Sequence, residues 1–183
     1  MIIGDAERFA FEFNIQEDGY GEFDLIINDK RITRFSQNKT IYPFKGSIIE
    51  LAEWFEESKS MFFDTTPPPF PLPIKGNTIA EKDRFYRAAD FIFTLEDEEF
   101  DALENIADWL FKHSWQSARG GGFLLPANFY SEDGKWLEIS WDAKDTYSQY
   151  GAEFVYKEGV AYIEKDIFEE IINEFITEVN KFK

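Results

Sequence analysis

Apolar residues return at every second position early in the chain. Phe9, Phe11, Phe13 and Ile15 alternate with Arg8, Ala10, Glu12 and Asn14, and Phe23, Leu25 and Ile27 repeat the alternation after the turn-forming EDGYG at 17–21. This period-2 pattern predicts strands with one buried face. Asn28-Asp29 then leads into Arg31-Ile32-Thr33-Arg34-Phe35. The first third therefore predicts an antiparallel three-stranded meander with short turns.

The period becomes helical near Ser47. Ser47 and Glu50 have the spacing of a capping box, and Ile48, Leu51, Ala52, Trp54 and Phe55 fall on one helical stripe. That helix must end before TTPPPFPLPIKG, residues 65–76, where five prolines remove backbone donors and impose an extended course. Pro68 and Pro71 form a PxxP, but the simpler reading is an ordered loop that tucks Phe70 and Leu72 onto the core. Residues 79–93 read either as a short helix running into a strand or as an extended link. Asp97 is expected to cap a further helix with Phe100, Leu103, Ile106, Ala107, Leu110 and Phe111 on one face.

Gly120, Gly121 and Gly122 follow that helix. A phosphate loop needs its helix after the glycines, so these read as a C-cap and a flexible turn. Ala127 to Tyr130 and Trp136 to Trp141 flank SEDGK as a β-hairpin, and Glu153 to Tyr156 with Val160 to Ile163 suggest a second. Asp166 with Glu169 should start a terminal helix whose Phe168, Ile171, Ile172, Phe175, Ile176, Val179 and Phe182 form a wide stripe suited to packing on a sheet. The elements together predict an α+β fold with one domain over residues 1–183. Its antiparallel β-sheet would comprise the meander plus C-terminal hairpins, with three or four helices packed against it.

Composition makes the core aromatic: 21 Phe, 8 Tyr and 5 Trp leave no room for a disordered reading. The absence of cysteine removes disulfides, thiolate nucleophiles and zinc-thiolate sites. The N-terminal MIIGDAERFAFEF has no basic region followed by a continuous apolar one, and no apolar run approaches the roughly 20 residues needed to span a bilayer. A cytoplasmic location, without membrane contact, is the expectation.

Charge sharpens the functional choice. Thirty-six acidic against nineteen basic residues give a formal charge of −17. That field repels nucleic acid and anionic membranes and favours a basic partner, although solubility alone would also account for it. Lys30, Arg31, Arg34, Lys39 and Lys45 form a local basic island, expected to be solvated or paired within the molecule. Glu96, Asp97, Glu98, Glu99, Asp101 and Glu104 gather at the start of the third predicted helix. The macrodipole favours the first few of them by about 0.3–1 kcal/mol each. The others are candidate partner contacts.

Candidate chemistry is sparse. His113 is the only histidine and lies where a helix C-terminus is predicted, so a structural, hydrogen-bonded role is expected. No nucleophile motif, calcium loop or other metal-ligand spacing occurs, and neither a metal nor a cofactor is expected. With thirty-six carboxylates, some pair could always meet the roughly 5–9.5 Å separation of a glycoside hydrolase. A carboxylate-based hydrolase is thus one alternative reading, and a regulatory interaction module using the proline loop is another. Trp136 shares a strand face with Glu138 and Ser140, opposite the apolar Leu137, Ile139 and Trp141. Trp136 is therefore the tryptophan predicted to be available for binding.

The opening GDAERFAFEFNI, followed by FDLIINDKRIT, resembles the immunity proteins of bacterial polymorphic toxin and contact-dependent inhibition systems, most closely the Immunity protein 42 family. The resemblance covers roughly the first third, with HSW, LP and EISW a looser echo. It implies a non-enzymatic cytosolic antidote that binds a cognate toxin domain and blocks its active site or substrate groove. No family catalytic residues carry over. The expected contacts are the acidic residues from Glu96 to Glu104 together with Trp136.

Overall fold

The computed structural model describes residues 1–70, 74–88, 97–118 and 122–183, with the side chains of 97–103 and 117–118 outside the description. Strands β1 (Ile2–Asp5), β2 (Phe9–Ile15), β3 (Tyr20–Ile27), β4 (Lys30–Arg31), β5 (Phe35–Gln37), β6 (Thr40–Tyr42) and β7 (Phe44–Ser47) come first. Helices α1 (Ile48–Ser58), α2 (Ile79–Ala88) and α3 (Asp97–His113) follow. The chain then forms β8 (Ala127–Tyr130), β9 (Trp136–Asp142), β10 (Ala152–Phe154), β11 (Glu158–Glu164) and α4 (Lys165–Val179). The paired strands are antiparallel and lie in three sheets, ordered β1-β2-β3 with β4 and β7 both on β3, β10-β5-β6, and β11-β9-β8. With the helices this is an α+β fold.

The meander forms, but its third strand is only two residues long. Thr33 and Arg34 leave the ladder to bind Asp24: Thr33 Oγ1 accepts from the Leu25 amide and donates to Asp24 Oδ1, both at 3.1 Å, while Arg34 donates to Asp24 Oδ2 at 2.8 and 2.9 Å. The turn before β4 places Asn28 and Asp29 at φ 50° and 63°, and the turn between β5 and β6 places Asn38 and Lys39 at 51° and 65°. Paired left-handed residues of this kind match the twist of a two-residue hairpin. The basic island is largely absorbed internally: Arg31 pairs with Glu12 at 2.6 Å, Arg34 with Asp24 and Lys45 with Glu22, both at 2.8 Å.

Ser47 caps α1 as predicted, its Oγ accepting from the Glu50 amide at 3.1 Å. The apolar stripes of α1 and α4 then close over the first sheet. Phe175 of α4 lies 4.9 Å from Phe11, 5.2 Å from Phe13 and 5.9 Å from Phe23, ring centre to ring centre. Offset and edge-on aromatic pairs at these separations add to simple area burial. Two details of α4 differ from expectation. Its first turn starts at Lys165, after Glu164 rather than at Asp166, and Phe182 lies beyond it, exposed.

The second predicted hairpin does not exist. β10 pairs with β5, Phe154 opposite Phe35, while β11 pairs along its whole length with β9, from Glu158 opposite Asp142 to Glu164 opposite Trp136. A seven-residue partner of matching alternation outcompetes the short local one, because cross-strand pairs stabilise a sheet one by one. The helix preceding the glycines also ends early, at His113. Trp115 is pulled into the core, where its Nε1 donates to the Leu125 carbonyl at 2.5 Å. Gly120 and Gly121 lie outside the described residues, and Gly122 is a bend leading to β8. A Cβ on it would sit 2.3 Å from the Lys45 carbonyl, so it permits a close approach to β7.

A second, smaller cluster lies apart from the main core. Tyr86 of α2 and Ile106 and Leu110 of α3 are buried together, with Phe70, Ile74 and Trp109 packed against them. Phe70 thus packs here rather than on the main core, and Leu72 lies outside the described residues. Residues 79–88 resolve as a helix, with 89–93 outside the description. The α2 N-terminus is held by side chains of the sheet beneath it. The Ile79 amide donates to Glu138 Oε1 at 2.8 Å and the Ala80 amide to Ser140 Oγ at 3.1 Å.

Candidate functional site

The outer face of β8, β9 and β11 has a regular grid. Across the strands, Trp136 lies opposite Glu164; Tyr130, Glu138 and Tyr162 form the next row; Asn128, Ser140 and Val160 form the one after. Leu137, Ile139 and Trp141 face inward and are buried, as their alternation predicts. Of the outer residues, Ser140 is covered by α2, whereas Trp136 and Tyr162 are 45% and 56% exposed and Val160 is also exposed. Desolvation raises the Tyr162 phenol above its ordinary pKa, and the carboxylates of Glu138, Glu132 and Glu81 push it in the same direction. The face therefore combines exposed aromatic surface with converging negative charge.

Trp136 is presented by a turn that fixes the start of its strand. Asp133 Oδ1 accepts from the Lys135 and Trp136 amides at 2.8 and 2.9 Å, and these bonds hold its carboxyl below the usual aspartate pKa. Gly134 in that turn has φ 70°. An indole and a phenol next to carboxylates suit a lysine or arginine side chain: the stem packs on the rings, and the charged head meets both the π-faces and the acids.

The predicted acidic contacts on α3 are only partly placed. Glu96 lies outside the described residues. Asp97, Glu98, Glu99 and Asp101 fall in the first turns of α3 with their side chains outside the description, and Asp97 opens the helix rather than preceding it. Glu104 is exposed. Further along, Ile106, Leu110 and His113 form the buried face. Phe111, one residue or about 100° round from Leu110, projects outward and is 64% exposed, and Ala107 is exposed as well. Both had been expected on the apolar stripe.

Phe111 borders a groove of about 460 Å³ between α1 and the end of α3, lined also by Glu50, Glu53, Trp54, Glu57, Ser58, Met61 and Lys112. The Trp54 Nε1 donates to the Phe111 carbonyl at 3.4 Å, tying the two helices together. The period of α1 signals its acidic outer face, but only the tertiary structure sets Phe111 beside it.

A cleft of about 400 Å³ between α2 and residues 142–146 holds Asp83, Asp142 and Asp145. Arg84 donates to Asp142 at 2.5 Å and to Asp145 at 3.1 Å, Arg87 binds Asp83 at 2.8 Å, and Lys144 pairs with Glu158. A hydrolytic carboxylate pair requires one acid whose pKa is raised. Burial raises the carboxyl of Asp24, which belongs to the meander and is bound by Arg34 and Thr33.

His113 is 4% exposed and stacks on Trp109 at 3.8 Å. Its Nδ1 lies 2.8 Å from the Trp109 carbonyl and its Nε2 3.3 Å from the Met61 carbonyl. Burial lowers its pKa, and the two carbonyls oppose that shift. Its partners are backbone and aromatic groups, so it clasps two segments together. Among the described residues, no group of three or more acids and histidine is placed to hold a metal, and no helix is long and apolar enough to cross a membrane. Compared with known proteins, the chain matches no family model, no curated protein and no solved structure.

Proposed function

We propose that this chain is a toxin-neutralising binding protein of the immunity type, acting in the cytoplasm without catalysis of its own. Its acidic surface docks on a basic toxin domain and occludes that domain's active site. The observation that carries this reading is the exposed pair Trp136 and Tyr162 on one sheet face beside Glu138 and Glu164, with Glu81 of α2 and Glu132 of the preceding turn acting on Tyr162 as well. Exposed tryptophan and tyrosine are the residue types that dominate binding energy at interfaces. A net charge of −17 would steer a basic partner toward such a face, raising the association rate to about 10⁸–10⁹ M⁻¹s⁻¹ at low salt. Glu104, exposed on α3, adds to the acidic surface. The resemblance of the N-terminal meander to toxin-immunity proteins supplies the class of partner.

The test asks whether the gene immediately upstream encodes the C-terminal domain of a large secreted toxin, and co-expresses that domain with this chain. The wild-type chain should relieve the growth defect, and a Trp136→Ala, Tyr162→Ala double variant that still folds should relieve it less. Persistent toxicity in the presence of the folded wild-type chain would sink the proposal.

A further inference from the structure

We infer that the groove between α1 and the C-terminal turn of α3 is a second docking surface, and that its occupant is a cationic amphipathic helix of the partner. This rests on the proposed function only in taking that partner to be a basic protein. Glu50, Glu53 and Glu57 are spaced three and four residues apart, so they share one face of α1 and extend along about 10 Å of its length. Lys112 lines the groove and Lys183 pairs with Glu53, so three carboxylates face two ammonium groups and the groove keeps a net negative charge. The C-terminal end of α3 adds its partial negative charge at the same place.

Apolar surface lies between these charges. Phe111 is 64% exposed and Met61 is 36% exposed, with Trp54 beneath them. A row of solvated glutamates alone would need no explanation, and neither would one exposed apolar residue. Here the two coincide in a groove between two helices tied by the Trp54 to Phe111 hydrogen bond. Helix-in-groove recognition uses this geometry, with apolar anchors at helical spacing entering the groove and flanking charges fixing orientation. Glu53 at the edge of the groove already binds an ammonium, that of Lys183, at 3.1 Å. A partner lysine or arginine would displace Lys183 and engage Glu50 and Glu57 as well.

The probe is a fluorescently labelled leucine/lysine peptide with amphipathic helical order, compared with a scrambled peptide of the same composition. Both are titrated into the full chain. The ordered peptide should bind about ten-fold tighter than the scrambled one. Phe111→Ser, at an exposed position, should abolish that preference, whereas E50Q/E53Q/E57Q should weaken both peptides and flatten the salt dependence. Ile41→Ser, at an exposed apolar position on β6, should leave the preference intact. Equal binding of the two peptides, or an ordered-peptide preference that survives Phe111→Ser, would overturn the inference. Toxin rescue separates its failure from that of the proposed function. Full rescue by the wild-type chain without peptide discrimination sinks only the groove. Peptide discrimination with no rescue sinks only the toxin reading.

Discussion

The main core and the smaller cluster beneath α3 are stabilised very differently. Around Phe11, Phe55 and Phe175, rings from the first sheet, α1 and α4 contact one another at centre separations of 4.9 to 6.2 Å. Under α3, the buried apolar cluster consists of Tyr86, Ile106 and Leu110. Dense packing of the first kind resists local opening, whereas a small satellite cluster opens at lower free energy. The difference shows how one chain can hold a rigid aromatic frame and still present α3 at its edge. His113 lies at the seam, its ring 6.3 Å from Phe62 of the main core and stacked on Trp109 of the smaller cluster.

The largest effect should come from the frame. Phe175→Ala would remove a fully buried ring that touches Phe11, Phe13 and Phe23, and should cost about 4 kcal/mol in denaturant unfolding. A loss below about 1 kcal/mol would mean that the frame is not close-packed. Ile106→Ala should cost less, about 2 kcal/mol, because its surroundings can collapse into the gap. Hydrogen exchange should show the loss confined to α2 and α3. Uniform loss of protection would erase the distinction between the two regions. Ser47→Ala removes the α1 cap and should cost about 1 kcal/mol in the same unfolding measurement.

The smallest expected effect is on pH dependence, and it tests the seam. Burial depresses the folded-state pKa of His113 below its unfolded value of about 6.5. Protonation therefore favours the unfolded chain. This stability contribution is fully present above about pH 6.5 and is lost as the pH falls through the lower folded-state pKa. His113→Gln should remove that part of the pH profile. An unchanged profile would assign the acid sensitivity to the carboxylates instead.

Much of the frame was legible in the sequence because its signals are local. The alternation from Phe9 to Ile15, the Ser47 cap and the α4 stripe each specify one element without reference to any other. Pairing was less legible, since β11 reads as a hairpin partner until the full length of β9 is seen to match it. That error also hid Tyr162 and Val160, which share the Trp136 face only through this cross-strand register. Trp136 itself was readable, because alternation on its own strand sets it opposite Trp141. Phe111 was not, because a helical stripe widened by one residue places it inward, and only the Ile106, Leu110, His113 face reveals the true azimuth.

The most direct test of the central claim is the binding kinetics of the toxin domain that the wild-type chain neutralises in co-expression, measured with the wild-type chain and the Trp136→Ala, Tyr162→Ala variant at low and high salt. The claim predicts an association rate that falls steeply with salt for both proteins, and dissociation at least about ten-fold faster for the variant. A salt-independent association rate, together with a variant that dissociates as slowly as wild type, would contradict it.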